Sequence, residues 1–470
     1  MLRLAHTPFL LVCLVLVPTS MNDDGDDPSP QEALLQKAEG RAAKGKYPDA
    51  VKYYRQLAKK YPNTTEGAIA AFRSMPSAYL GTAPIGEEHG PSANRVDVAI
   101  MGDGYQLNEM DQLDDLADDT PPLFKKQGTF GEYYSYFNFH RVSLVSKDNG
   151  VDGFGREYDT ALNGHTIPTI AGHVSVSKQY VDMRLDEMGD NDGLAIIYVK
   201  NGNLGTGGGG YATIGGRSPA TVIHEWGHAF GNLGDEYATK THDRGGLSNR
   251  ANVSKTDDLK RVPWAHWIEA KAKRVGAYEG ASGQVRDAWK PTSSGCVMEN
   301  GGFFCPPCRE ALVLRIYSYV DPIESCTPEP HPRSQETHIE VVEFQSAEFE
   351  VTVMRPKSHN LEVSWWVIPE AEAPRTKKAR SGSSSSGRRS RGPLPELKEK
   401  PKATSRNNSK GRHTFELKHK GLDPGRYLVI CRARDTTKIR GDRLPWVLQD
   451  KDDLLVSERS WWVSVPKEDG

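Results

Sequence analysis

His224 and His228 stand four residues apart with Glu225 directly after the first. On a helix, that spacing stacks both imidazoles one turn apart on a single face. Two imidazoles so placed suit a tetrahedral zinc ion, while a carboxylate one position along reaches a metal-bound water rather than the metal. The chemistry implied is hydrolysis. Zinc lowers the pKa of a bound water to about 7 and polarises a carbonyl. Glu225 can take the water's proton and hand it to a departing amine, the acid and base work that a peptide bond requires. One catalytic Zn2+ is therefore expected, with His224 and His228 as ligands and Glu225 as the catalytic residue. A purely structural site would take four protein ligands and has no use for a base beside the pair.

Such a trio needs a helix to carry it. Ser218 and Pro219 provide an opening, and Gly231 follows the second histidine by three residues. The four glycines at 207–210 precede the helix and have two readings: an edge strand to which an extended peptide can add, or a flexible loop. Tyr211 and Tyr237 either contact substrate or pack. Upstream, residues 96–101, 141–146 and 194–200 read as strands and residues 106–117 as a helix, an interleaving that implies an α/β or α+β core.

The chain has 470 residues, more than one core usually organises. Its 60 Lys and Arg nearly balance 62 Asp and Glu, so no net field favours nucleic acid. The run FLLVCLVLV at 9–17 follows Arg3 and falls well short of the roughly 20 residues that span a bilayer. Residues 1–20 are thus expected to be a signal peptide, with export to the periplasm, cell surface or medium and no membrane span. Residues 21–75 read as a helical hairpin resembling one tetratricopeptide repeat. It is opened by Ser29, Pro30 and Glu32, and residues 76–95 read as a linker. From 335 to 466 short alternating strands separated by turn residues suggest an Ig-like β-sandwich. A basic, serine-rich stretch at 374–412 interrupts it. That insertion is expected to be a flexible, solvated loop, with an anionic surface polymer as its alternative partner. After Cys13 the cysteines are Cys296, Cys305, Cys308, Cys326 and Cys431. The first four are expected to form two disulfides of undetermined connectivity, with Cys431 as a small buried hydrophobe. Cys305-Pro-Pro-Cys308 also allows half of a zinc knuckle or a redox pair, although no second CxxC accompanies it. With no cysteine between Cys13 and Cys296, latency through a propeptide thiol on the metal is not expected.

HEWGHAFGNLGDEY at 224–237, GDGY at 102–105, GGGGYAT at 207–213, CVM at 296–298 and FCPPCRE at 304–310 together resemble the bacterial IgA peptidase family of metzincin-like zinc proteases. The likeness covers about residues 95–325. It implies an α+β fold with an α/β-type zincin catalytic domain at 96–325, between the N-terminal hairpin and the C-terminal sandwich. By the same resemblance His224 and His228 are zinc ligands, Glu225 the acid and base, and Met298 the methionine of a turn beneath the metal. Metzincins place the third ligand six residues after the second histidine, where this chain has Gly234. Asp235, one residue later, is the expected third ligand, since a carboxylate suits zinc and the flanking glycines let the chain turn back. Glu236 and His266 are the reserves, and a role for Asp235 in holding a ligand histidine is the alternative. The function expected is endopeptidase action on a protein or peptide substrate. Nothing in residues 95–325 singles out an immunoglobulin hinge. The competing readings are a surface adhesion or scaffold protein with a structural metal, and a hydrolase of cell-wall crosslinks.

Overall fold

The computed structural model describes residues 28–75, 77–153, 155–169, 172–239, 248–329, 338–340, 346–374, 394–405, 411–418 and 420–467. The apolar run at 9–17 and most of the basic insertion at 374–412 lie outside the described residues. Helix α1 (Pro30–Ala42) begins with a reciprocal cap: the Glu32 N–H donates to the Ser29 hydroxyl and the Ser29 N–H to the Glu32 carboxylate. Helix α2 (Tyr47–Lys60) buries Tyr47, Ala50, Val51, Tyr54 and Leu57, a stripe at helical spacing. A third helix, α3 (Thr65–Phe72), extends the expected hairpin; Thr64 caps it by accepting from the Gly67 N–H at 3.0 Å.

One repeat cannot bury its own apolar face, and here that face closes on the neighbouring sheet. The Tyr54 hydroxyl donates to the Leu80 carbonyl at 2.9 Å and the Tyr47 hydroxyl to Asp114 at 2.7 Å. Residues 76–95 are accordingly not a simple linker. They supply β1 (Ala78–Pro84), the antiparallel edge strand of the main sheet. Gly81 and Pro84 weaken the local strand signal, but pairing and the burial of Ala78, Tyr79 and Leu80 outweigh it.

The other strands of that sheet are β2 (Val96–Asp103), β3 (Phe137–Val145), β4 (Ala195–Val199), β5 (Thr206–Gly208) and β6 (Tyr211–Gly215). Their order is β1-β3-β2-β4-β6-β5. The four central strands run parallel, and β1 and β5 pair antiparallel at the two edges. Every residue of β2 and β4 is buried, as a parallel sheet covered on both faces demands. One face carries α4 (Met110–Lys126), α5 (Pro219–Ala229) and α6 (Pro306–Tyr317); the other packs against a helix at Lys178–Met188 and the 151–176 connection. The result is a mixed α and β fold with several sheets.

Asp103 of the GDGY motif explains how the 151–176 connection is held. Its buried carboxylate accepts from the N–H groups of Leu162 (2.8 Å) and Gly164 (2.7 Å) and from the Thr160 hydroxyl (2.9 Å). Beyond residue 322, a three-stranded and a five-stranded sheet share a core built on Phe349, Trp365, Val429 and Trp461. This part is joined to the rest through Asp435, which accepts from the hydroxyls of Tyr133 (2.8 Å) and Tyr317 (2.7 Å). His359 bridges Asp435 at 2.7 Å and Glu132 at 2.8 Å. Among the described residues no helix is long and apolar enough to cross a membrane.

Candidate active site

Helix α5 is two-sided by sequence. Val222, Trp226 and Ala229 turn into the core, where Trp226 stacks on Phe230 with ring centroids 5.2 Å apart and meets Phe124 edge-on. Truncating a fully buried tryptophan typically costs about 3–5 kcal/mol, so this anchor sets the helix's rotation. The face that remains presents His224 and His228, whose rings lie 4.8 Å apart at 83°. The helix ends where Gly231 and Asn232 (φ 50°) reverse the chain, and Asp235 returns beneath the imidazoles. Gly234 permits that return, because a Cβ there would come within 2.5 Å of Val253.

The three side chains meet at one point. His224 Nε2, His228 Nε2 and Asp235 Oδ1 form a triangle with all three sides at 3.1 Å. Ligand atoms of a tetrahedral zinc, at 2.0–2.1 Å from the metal, sit about 3.3 Å apart, so the trio fits such an ion. The opposite ring nitrogens settle the tautomers: His224 Nδ1 faces the Val297 carbonyl at 3.0 Å and His228 Nδ1 the Leu233 carbonyl at 2.8 Å. Each Nδ1 must donate, which leaves each Nε2 lone pair for a metal. The three side chains stay 16, 12 and 28 % exposed, so solvent and substrate can reach them. With the imidazoles protonated at Nε2 as well, their hydrogen bonds outweigh the burial that alone would raise the Asp235 carboxyl, and hold it ionised well below the usual carboxylate range; a bound cation takes the place of those two protons.

Glu225 is nearly buried beside the pair, and burial raises its pKa against the opposing pull of His228 and His224. Its space exists only because residue 205 lacks a side chain: a Cβ there would lie 2.6 Å from Glu225 Cγ. Of the two readings of 207–210, the structure forms a strand over Thr206–Gly208 followed by a turn. Gly207 abuts the helix so closely that a Cβ would meet the Glu225 carbonyl oxygen at 2.2 Å. Met298 lies under Gly227, where a Cβ would be 2.5 Å from its sulfur.

Other sequence expectations land elsewhere. His266 pairs with Glu310 at 2.5 Å and is not part of the trio. Glu236 turns away from it, toward the thiols of Cys305 and Cys308. Tyr237 stacks alongside His224, while Tyr211 is tied to Asp182 and Lys178. The expected disulfides do not form: all five described cysteines are free. Cys326 sits with Cys431 in the C-terminal core, too remote in the fold to complete two bridges with the other three. Residues that sequence reasoning missed are Gly205 and Asn252. The Asn252 amide clamps Gly234 through a bond from its N–H (2.8 Å) and one to its carbonyl (2.7 Å). A lone glycine and a lone asparagine in loops carry no signal of such roles.

The model of the family described as IgA Peptidase M64 matches residues 87–273. The match takes in His224, Glu225, His228 and Asp235 and stops short of Cys296. No curated protein matches the chain.

Proposed function

We propose that this chain, whose residues 87–273 match the model of the family described as IgA Peptidase M64, is an exported zinc endopeptidase. His224, His228 and Asp235 hold the ion, and Glu225 carries the proton. The observation behind this reading is the equal-sided triangle of donor atoms with both imidazoles pinned through Nδ1. A zinc ion bound there supplies Lewis acidity toward a water and toward the scissile carbonyl oxygen.

The chain's own residues do the rest. His224 and His228 keep their Nε2 lone pairs aimed at one point, because rotation of either ring would break its bond to a backbone carbonyl. Asp235 contributes the negative charge that a divalent ion requires. Glu225 accepts the proton of the attacking water and delivers it to the leaving nitrogen; its burial raises its pKa toward the range where both transfers are feasible. Extended substrate would pair with the edge of β5 at Gly207 and Gly208, since residues 172–174 already bridge the stretch just before. Export rests on the apolar run at 9–17 after Arg3.

The test is casein hydrolysis by the purified chain, by the chelated chain and by Glu225→Ala. Chelation should abolish activity and zinc restore it. Glu225→Ala should lose roughly 10²–10⁴-fold in rate with its zinc content unchanged. Equal activity in all three samples refutes the mechanism, and clearing of peptidoglycan with casein untouched would reassign the substrate to cell-wall crosslinks.

A further inference from the structure

A second cluster lies immediately behind the active site. Glu236, Cys296, Cys305 and Cys308 are all buried, and one ligand atom from each lies within 4.8 Å of every other. The sulfurs of Cys296 and Cys308 are 3.8 Å apart, and Glu236 Oε1 is 3.4 Å from the Cys305 sulfur and 3.0 Å from that of Cys308. A tetrahedral zinc with Zn–S bonds near 2.3 Å holds its thiolates about 3.8 Å apart. The Cys296–Cys308 separation matches that value, and all four ligand atoms lie close enough together to share one ion.

The surroundings hold these corners in place. Asn252 donates to Glu236 Oε1 at 3.0 Å, which orients the carboxylate. The Cys305 N–H points at the Cys296 sulfur at 3.4 Å, the kind of outer contact that steadies a metal-bound thiolate. A disulfide accounts for the cluster less well. Joining Cys296 to Cys308 would leave the buried Glu236 carboxylate faced by the neutral Cys305 thiol, Asn252 amide and Thr292 hydroxyl rather than by a cation.

We propose that Cys296, Cys305, Cys308 and Glu236 form a second, closed metal site for a thiophilic divalent cation such as zinc, distinct from the hydrolytic one. Four protein ligands leave no open corner, so the ion is structural. Binding exchanges up to three thiol protons for the cation. Its position gives it a task. Glu236 follows Asp235 directly, and the Glu236 N–H donates to the Met298 carbonyl at 2.7 Å. Cys296 precedes Val297, whose carbonyl orients His224, and the Cys305-Pro-Pro-Cys308 turn starts α6. The ion therefore ties the start of α6 to the two segments that supply Asp235 and orient His224.

The double variant His224→Ala/His228→Ala, which dismantles the hydrolytic site, tests this with metal rather than activity as the readout. After zinc loading and dialysis, elemental analysis should find about two ions per parent chain and one per double variant. Loaded with Co2+, the double variant should show the intense near-ultraviolet band of thiolate-to-cobalt charge transfer. Adding Cys305→Ala and Cys308→Ala should remove that band and the remaining ion. If the added substitutions prevent folding, the cobalt spectrum of the His224→Ala/His228→Ala variant decides alone. A double variant that retains no metal and shows no such band overturns the proposal, as does an intact mass showing Cys296 disulfide-bonded to Cys305 or Cys308.

Discussion

Two groups of side chains that could hold a metal ion stand back to back across the bond between Asp235 and Glu236. On one side, two imidazoles and one carboxylate meet within reach of solvent, with Glu225 alongside. On the other, three thiols and one carboxylate meet with 2 % exposure or less. Both sets would suit the same ion, so ligand count and access, not metal identity, separate a reacting site from a fastening one. Three ligands with an exposed side leave a corner for substrate and a use for a base. Four ligands in a dry pocket leave neither.

The sharpest way to break this comparison is timed chelation. The open site should lose its ion first, and losing a Lewis acid worth several kcal/mol means more than about a hundredfold loss of peptidase activity. The thermal unfolding temperature should hold through that phase and drop only when the thiol-bound ion leaves. Parallel assays of activity and unfolding that decay together from the first minutes would show the two groups to be one unit. A finer cut uses Gly205→Ala, which pushes a methyl into the space of Glu225 without touching either ligand set. A displacement of about 1 Å in a catalytic group can cost about 100-fold, so kcat should fall toward that extent while zinc content stays constant. Unchanged kcat would mean that Glu225 has another way to sit.

A third region offers a contrast in stability rather than activity, where folding should depend on pH without involving either group of candidate ligands. Burial acts to lower the His359 pKa, but Asp435 and Glu132 outweigh it and push it from 6.5 to about 9. The folded chain thus binds this proton more tightly than the unfolded one. The resulting stabilisation is complete below about pH 6.5 and is lost as pH rises through about 9, up to about 3 kcal/mol. Urea titrations at pH 6 and pH 9.5 should show that loss in the parent chain and little of it in His359→Gln. A parent chain equally stable at both values would remove His359 from the account.

Much of the candidate site was legible because its parts are close in sequence. His224, Glu225 and His228 occupy a single helical turn, and Asp235 lies only seven residues further on, past glycines that let the chain reverse. The central strands were legible for a related reason: a parallel strand covered on both faces must be apolar along its length, and β2 and β4 are. The strand at Ala78–Pro84 was not, since its glycine and proline read as a connector until pairing with β3 overrides them. The cysteines misled in the same way. Counted along the chain, Cys296, Cys305, Cys308 and Cys326 form a tidy group of four, but folding sends Cys326 into the C-terminal core and puts Glu236 in its place.

Spacing within one helix was enough to specify which atoms could grip a metal and which could move a proton, because helical geometry converts residue number directly into position. Long-range packing alone settled the orientation of those imidazoles, the room around Glu225 and the meeting of Glu236 with three thiols. Those contacts join segments up to 73 residues apart, and no local rule encodes a distance between them.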